Sequence, residues 1–164
     1  MDLTNQMHIA TKGSKIDISE EIQTAKIAKI FSSFLKKGNV VFFYGEIGVG
    51  KTTFIRYLIN NIQKKNKVKL SEVPSPTFNL LNEYEINNIV VHHYDLFRLK
   101  NDKEIKNIGL FQEIKNVITL IEWPELIKNK PSDTLELHFK YEKNLKKRSL
   151  LISTKSKKIL NEFK

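Results

Sequence analysis

Gly45-Glu46-Ile47-Gly48-Val49-Gly50-Lys51-Thr52 fills every fixed position of the phosphate-loop pattern G-x-x-x-x-G-K-[ST]. The pattern carries meaning only between a strand and a helix, and both neighbours are present. Upstream, Val40-Val41-Phe42-Phe43-Tyr44 is apolar on consecutive residues, which suits a strand covered on both faces, as in a parallel sheet. Downstream, Thr53 to Ile62 reads as a helix whose Phe54, Ile55, Leu58, Ile59 and Ile62 form one apolar stripe. Three of the six glycines in the chain fall within this loop, where backbone amides have to approach an anion closely.

In such a loop, consecutive backbone N–H groups point inward and the positive end of the following helix adds to the same spot. Lys51 would reach the β- and γ-phosphates as a point charge, and the Thr52 hydroxyl would ligate Mg²⁺, a hard cation that prefers oxygen. A nucleotide-hydrolysing site also needs an acid at the end of a neighbouring strand. Glu122 follows Val117 to Ile121, a fully apolar strand whose C-terminal end would lie beside the loop in a parallel sheet. Asp95 follows Ile89 to Tyr94, read as a wetter strand. By spacing alone each acid suits a metal-side role or an ordinary strand-end role in capping or pairing, with Glu122 the stronger candidate.

Outward from the loop, Met7 to Thr11 is expected as a short strand, and Asp17 three residues before Glu20 as the capping start of a helix. In that helix Ile27, Ile30, Phe31, Phe34 and Leu35 share one face, and Gly38 is the expected stop. Val73-Pro74-Ser75-Pro76-Thr77 cannot be regular helix. Phe78 to Ile86 and Ile89 to Tyr94 read as a hairpin turned at Asn87-Asn88. Asn101 to Phe111 carries weak helical signals with a break at Gly109. Thr134 to Tyr141 and Ser149 to Thr154 alternate as two strands joined by a basic turn.

A chain of 164 residues is most simply one domain, taken here as 1–164 with its motif-bearing core at about 19–154. No apolar run approaches the ~20 residues of a membrane span. Met1 to Ala10 carries Asp2 and no apolar core segment, so no secretory signal is read and a cytoplasmic location is expected. Without cysteine there are neither disulfides nor thiolate metal sites. The net charge of +10 invites a nucleic-acid reading, yet the lysines are spread over the chain and cluster only from Lys143 to Arg148, which favours solubility or loose steering.

Other residues carry open alternatives. His92 and His93 are adjacent on a strand and point to opposite faces, so they do not share one ion easily. Trp123, the only tryptophan, suits a base-stacking role or the edge of the core, with the core favoured by position. Arg98 suits phosphate charge or a structural ion pair. Asn129-Lys130-Pro131-Ser132 lacks the acid of the guanine-reading N-K-x-D, which favours adenine.

The glycine loop, Ser75-Pro76-Thr77, His93-Tyr94-Asp95-Leu96-Phe97-Arg98-Leu99 and Glu122-Trp123-Pro124 together resemble, in order and spacing, the bacterial TsaE (YjeE-type) ATPase family. The likeness runs from about Ser19 to Thr154. It implies a small P-loop ATPase using ATP and Mg²⁺, supporting TsaB and TsaD in threonylcarbamoylation of adenosine next to the tRNA anticodon, with tRNA engaged indirectly. Carried over by motif, Gly45, Glu46, Ile47, Gly48, Val49, Gly50, Lys51, Thr52 and Thr53 hold the nucleotide. The resemblance implies that Lys51, Asp95 and Glu122 serve catalysis and that Thr52, Glu122 and Asp95 surround the metal. It likewise puts Thr77 in a switch near the γ-phosphate, Trp123 close to the nucleotide, and Thr24 on a helix lining the adenine side. Glu46, Ile47 and Val49 stand where the family commonly has Asp, Leu and Ala, and Phe97 replaces a tyrosine; the stretch from Lys100 to Asn116 matches more loosely.

The fold expected is α/β: a P-loop NTPase-like, mostly parallel sheet flanked by helices, with an antiparallel C-terminal hairpin. Two other functions use the same loop. A small-molecule kinase usually adds an arginine-rich lid, and this chain has only Arg56, Arg98 and Arg148. A nucleotide-gated adaptor would bind ATP without releasing phosphate.

Overall fold

The glycine loop sits at the edge where four parallel strands end together. In the computed structural model, which describes residues 12–143 and 145–163, the strands are β1 (Lys12–Asp17), β2 (Val40–Tyr44), β3 (Leu81–Ile86), β4 (Ile89–Asp95), β5 (Ile118–Glu122), β6 (Leu135–Tyr141) and β7 (Arg148–Ser153). They form one sheet in the order β1-β7-β6-β2-β5-β4-β3. The middle four, β6-β2-β5-β4, are parallel, while β7 and β1 on one side and β3 on the other are antiparallel. The strand expected at Met7 to Thr11 lies outside the described residues. Among these residues no helix is long and apolar enough to cross a membrane.

Helices cover both faces. On β2, Val41 and Phe43 face a core shared with α1 (Glu21–Ser32) and α2 (Lys51–Lys65), and Val40 and Phe42 face a second core under α3 (Asp102–Asn107). This two-sided burial explains the unbroken apolar run in a central strand. All five residues of the α2 stripe are buried, and Phe54 packs on Phe31, Phe43 and Phe139 at ring distances of 6.1, 6.0 and 5.6 Å. Lys64 and Lys65 in the last turn suit the negative end of that helix, and Lys67 leaves it in the left-handed region at φ 56°.

Several local expectations are corrected by tertiary context. Asp17 does not cap α1: its Oδ1 accepts the Ser19 amide at 2.8 Å, and Glu20 occupies the cap position without a side-chain bond. The helix closes at Ser32, before Gly38, and Ile30 is 39% exposed, while Phe34 and Leu35 pack on the core from beyond its end. The strand begins at Leu81 because Leu80 takes a left-handed turn at φ 66°, leaving Phe78 85% exposed. β4 is not a wet strand: Val91 through Asp95 are all buried. The helix after Asn101 is only Asp102–Asn107, capped by the Asn101 side chain accepting the Lys103 and Glu104 amides. The lysine-rich end forms one further short helix, α4 (Lys157–Asn161), whose Ile159 and Leu160 are buried.

Candidate nucleotide site

The sharp turn out of β2 depends on glycine at two places. Gly45 has φ 140°, and a Cβ there would stand 2.6 Å from the Phe139 carbonyl of β6. Gly50, at φ 115°, is the left-handed residue from which α2 starts. Val49 between them is buried and pins the loop to the core, while Ile47 remains 67% exposed.

Lys51, the first residue of α2, turns back into the loop. Its Nζ donates to the carbonyls of Gly45 and Glu46 at 2.6 and 2.9 Å and lies 3.9 Å from the centre of the Trp123 ring. Burial pushes its pKa below the ordinary lysine value, and the nearby carboxylates of Glu122, Glu125 and Asp95 offset part of that shift. Thr52 is the next residue on the helix, and its hydroxyl reaches both carboxylate oxygens of Glu122 at 2.9 and 3.0 Å. Glu122 is 2% exposed and takes a third contact from His93 Nε2 at 2.9 Å.

Asp95 is in register with Glu122 across the parallel β4–β5 pair, so the two acids end neighbouring strands side by side. Its Oδ2 accepts the hydroxyls of Ser75 and Thr77 at 2.5 and 2.8 Å, and its Oδ1 accepts the Phe97 amide at 2.9 Å. This carboxylate thus ties the two-proline segment to the strand end. Trp123 follows Glu122 in the left-handed region at φ 59°, a turn that lays its ring against Lys51 and, at 4.8 Å, against Phe97.

A cleft of about 330 Å³ opens among these groups, and Gly48, Gly50, Lys51, Thr52, Thr53, Thr77, Asp95, Glu122 and Trp123 all line it. Gly45, Glu46 and Ile47 border an adjoining hollow with Trp123. Thr24 stands apart: it is buried on α1 and does not line the cleft. Arg98 donates to the Phe78 carbonyl at 3.0 Å and covers that ring instead of facing the cleft. His92 turns to Glu83 on the opposite side of the strand from His93.

Three residues near the loop have contacts that the sequence does not assign, although His93 and Ser75 stand within the quoted motifs. His93 orients Glu122, and the signal available was its place two residues before Asp95, hence on the same strand face. Ser75 shares Asp95 with Thr77. Tyr141, ending β6, donates its hydroxyl to the Ile47 carbonyl at 3.4 Å. Nothing local marks that contact, because it spans 94 residues.

A glycine loop between a parallel strand and a helix, with lysine and threonine at the helix start and an acid from the adjacent strand, is the architecture of the phosphate-loop nucleotide-binding proteins. The family model described as "Threonylcarbamoyl adenosine biosynthesis protein TsaE" matches residues 18–150. The chain belongs to the TsaE family. It is 38% identical over 128 residues to the tRNA threonylcarbamoyladenosine biosynthesis protein TsaE of Rickettsia bellii, covering 77% of this chain and 86% of that one. The Rickettsia typhi TsaE is 35% identical over 147 residues, covering 89% and 97%. The crystal structure of YdiB from Bacillus subtilis superposes with a TM-score of 0.73 over 94% of this chain and 95% of its own, at 23% identity, a likeness of fold.

Proposed function

We propose that this chain is a slow, Mg²⁺-dependent ATPase, a single cytoplasmic domain that acts with TsaB and TsaD to permit repeated rounds of threonylcarbamoyl transfer to tRNA. The observation that carries this reading is the Thr52–Glu122 contact beside the glycine loop, because it sets a hydroxyl and a carboxylate together where a triphosphate would end. The donors suit magnesium, all three being oxygens: the Thr52 hydroxyl and the carboxylates of Glu122 and Asp95. Magnesium, when bound, neutralises charge on the β- and γ-phosphates.

The chain's own residues do the rest. Backbone amides of the loop hold the β-phosphate, and Lys51 exchanges two carbonyl acceptors for phosphate oxygens, a stronger charge-assisted pairing. Glu122, held by His93, and Asp95 flank the γ-phosphate. Thr77 and Ser75, released from Asp95, would let the two-proline segment follow the state of that phosphate, and the partner proteins read that change. Purified protein mixed with TsaB and TsaD should hydrolyse ATP faster than alone, with the activity abolished in Lys51→Ala. Tight ATP binding without phosphate release in the complete mixture would overturn hydrolysis in favour of a nucleotide-gated adaptor.

A further inference from the structure

The nucleotide loop has a second basic neighbour that none of the motifs contains. We infer that Arg148 contacts the nucleotide, its guanidinium binding the α-phosphate from the C-terminal hairpin. This inference rests on the nucleotide reading above and adds a residue and a subsite to it. The two acids stand on the β5–β4 side of β2, which makes that the γ-phosphate flank. The opposite flank is β6 and β7, where the α-phosphate and nucleoside would leave the loop.

The hairpin leans on the loop there through one cross-strand pair. Tyr141 and Arg148 are in register, the tyrosine hydroxyl lies 3.2 Å from where a Cβ on Gly48 would stand, and Arg148 Nη1 lies 3.8 Å from the same point on Gly50. The arginine backbone is fixed from both sides: its amide donates to Ser19 Oγ at 3.0 Å, and its carbonyl accepts the Ile18 amide at 3.0 Å. The position beside Gly50 is therefore built in by the sheet.

What the guanidinium lacks is an anion. Among the described residues its buried Nε has no hydrogen-bond partner and no carboxylate lies within ion-pair distance. The other two arginines are engaged, Arg56 with Glu21 and Arg98 with the Phe78 carbonyl. Glu142, an acid of the same hairpin, is taken by Lys15 at 2.6 Å and Ser149 at 2.7 Å. A half-buried guanidinium left without a carboxylate, beside a cradle of amides that attracts phosphate, has the geometry and charge to receive a phosphate oxygen.

The test compares ATP and ADP binding, by calorimetry, for the full chain and for Arg148→Gln and Arg148→Lys. An α-phosphate contact predicts that Arg148→Gln weakens both nucleotides by the same factor, about ten- to a hundredfold, with Arg148→Lys recovering part of the loss. The apo melting temperature and its rise with nucleotide are read alongside. Unchanged affinity for both nucleotides, a loss confined to ATP, or a lowered apo melting temperature with an intact nucleotide-induced rise would each overturn the assignment. If Arg148→Gln does not fold, wild-type affinity in Arg148→Lys overturns it as well. Lys51→Ala separates the two readings: binding lost there but kept in Arg148→Gln removes Arg148 alone, whereas a wild-type chain that binds neither nucleotide removes the nucleotide site itself.

Discussion

Thr52 and Glu122 are 70 residues apart in sequence, and the threonine hydroxyl lies within 3.0 Å of both oxygens of the glutamate carboxylate. One comes from the helix after the loop and the other from the neighbouring parallel strand, so their meeting depends on the β2–β5 pairing. Glu122→Gln keeps the shape and removes the charge. Magnesium titrations of phosphate release should show the half-saturating metal concentration rising about ten- to a hundredfold, with Thr52→Val similar and Thr52→Ser close to wild type. An unchanged metal requirement in Glu122→Gln would remove this acid from the metal side.

Gly45 and Gly38 are predicted to respond differently to an added methyl group. Gly45→Ala places a methyl 2.6 Å from backbone at φ 140°, so it should destabilise the chain by about 2–4 kcal/mol and abolish nucleotide binding. Gly38 also has positive φ, 89°, but the nearest atom to its added Cβ is 3.8 Å away. Gly38→Ala should therefore cost about 1–2 kcal/mol and leave binding intact. Urea unfolding and nucleotide titration of the two variants test the contrast.

The contrast also marks what can be read from sequence. The glycine pattern, the doubly buried run at Val40–Tyr44 and the α2 stripe are local features whose period and composition are set by the burial they serve, so they are legible directly. Glu122 is legible because an apolar strand ends in it. The partners of these residues are not. His93 has no assigned partner in sequence until the strand order sets it against Glu122, and Tyr141 and Arg148 reach the loop only because β6 lies beside β2. At Asp17 a local capping pattern loses to a turn with Ser19, and the hydrophilic look of His92-His93 conceals a strand covered on both sides. The family motifs brought Asp95, Thr77 and Trp123 forward before any contact could be known.

Asp95 is predicted to act as a latch on the two-proline segment before it meets any ligand. It accepts two hydroxyls and one amide, and hydrogen bonds to a charged group contribute about 1.5–3 kcal/mol each, without full additivity. Asp95→Ala should lower stability by about 2–4 kcal/mol and speed amide exchange selectively across residues 75–80 and at Phe97. Equal acceleration across the whole sheet would indicate general loosening and no latch.

The last prediction concerns the alkaline stability of the apo protein and follows from Lys51. Burial is the largest influence on this side chain and lowers its pKa in the folded state. A lysine depressed in this way loses its proton at lower pH when folded than when unfolded, where the value is about 10.4. Between those two values the unfolded chain binds more protons, so the free energy of unfolding rises with pH across that interval. Below it both states are protonated, and the folded chain carries the whole penalty of the buried charge. In Lys51→Met that interval is absent, and all other titrating groups are shared. The difference in unfolding free energy, wild type minus Lys51→Met, should therefore grow more favourable to wild type as the pH rises from the lowered folded-state value towards about 10.4. Saturating nucleotide should suppress this gain in the wild type, because phosphate oxygens replace carbonyl acceptors around Nζ and favour its charged form. A difference that stays flat with pH in the apo protein would mean that the loop carbonyls and neighbouring acids fully compensate the desolvation of this lysine.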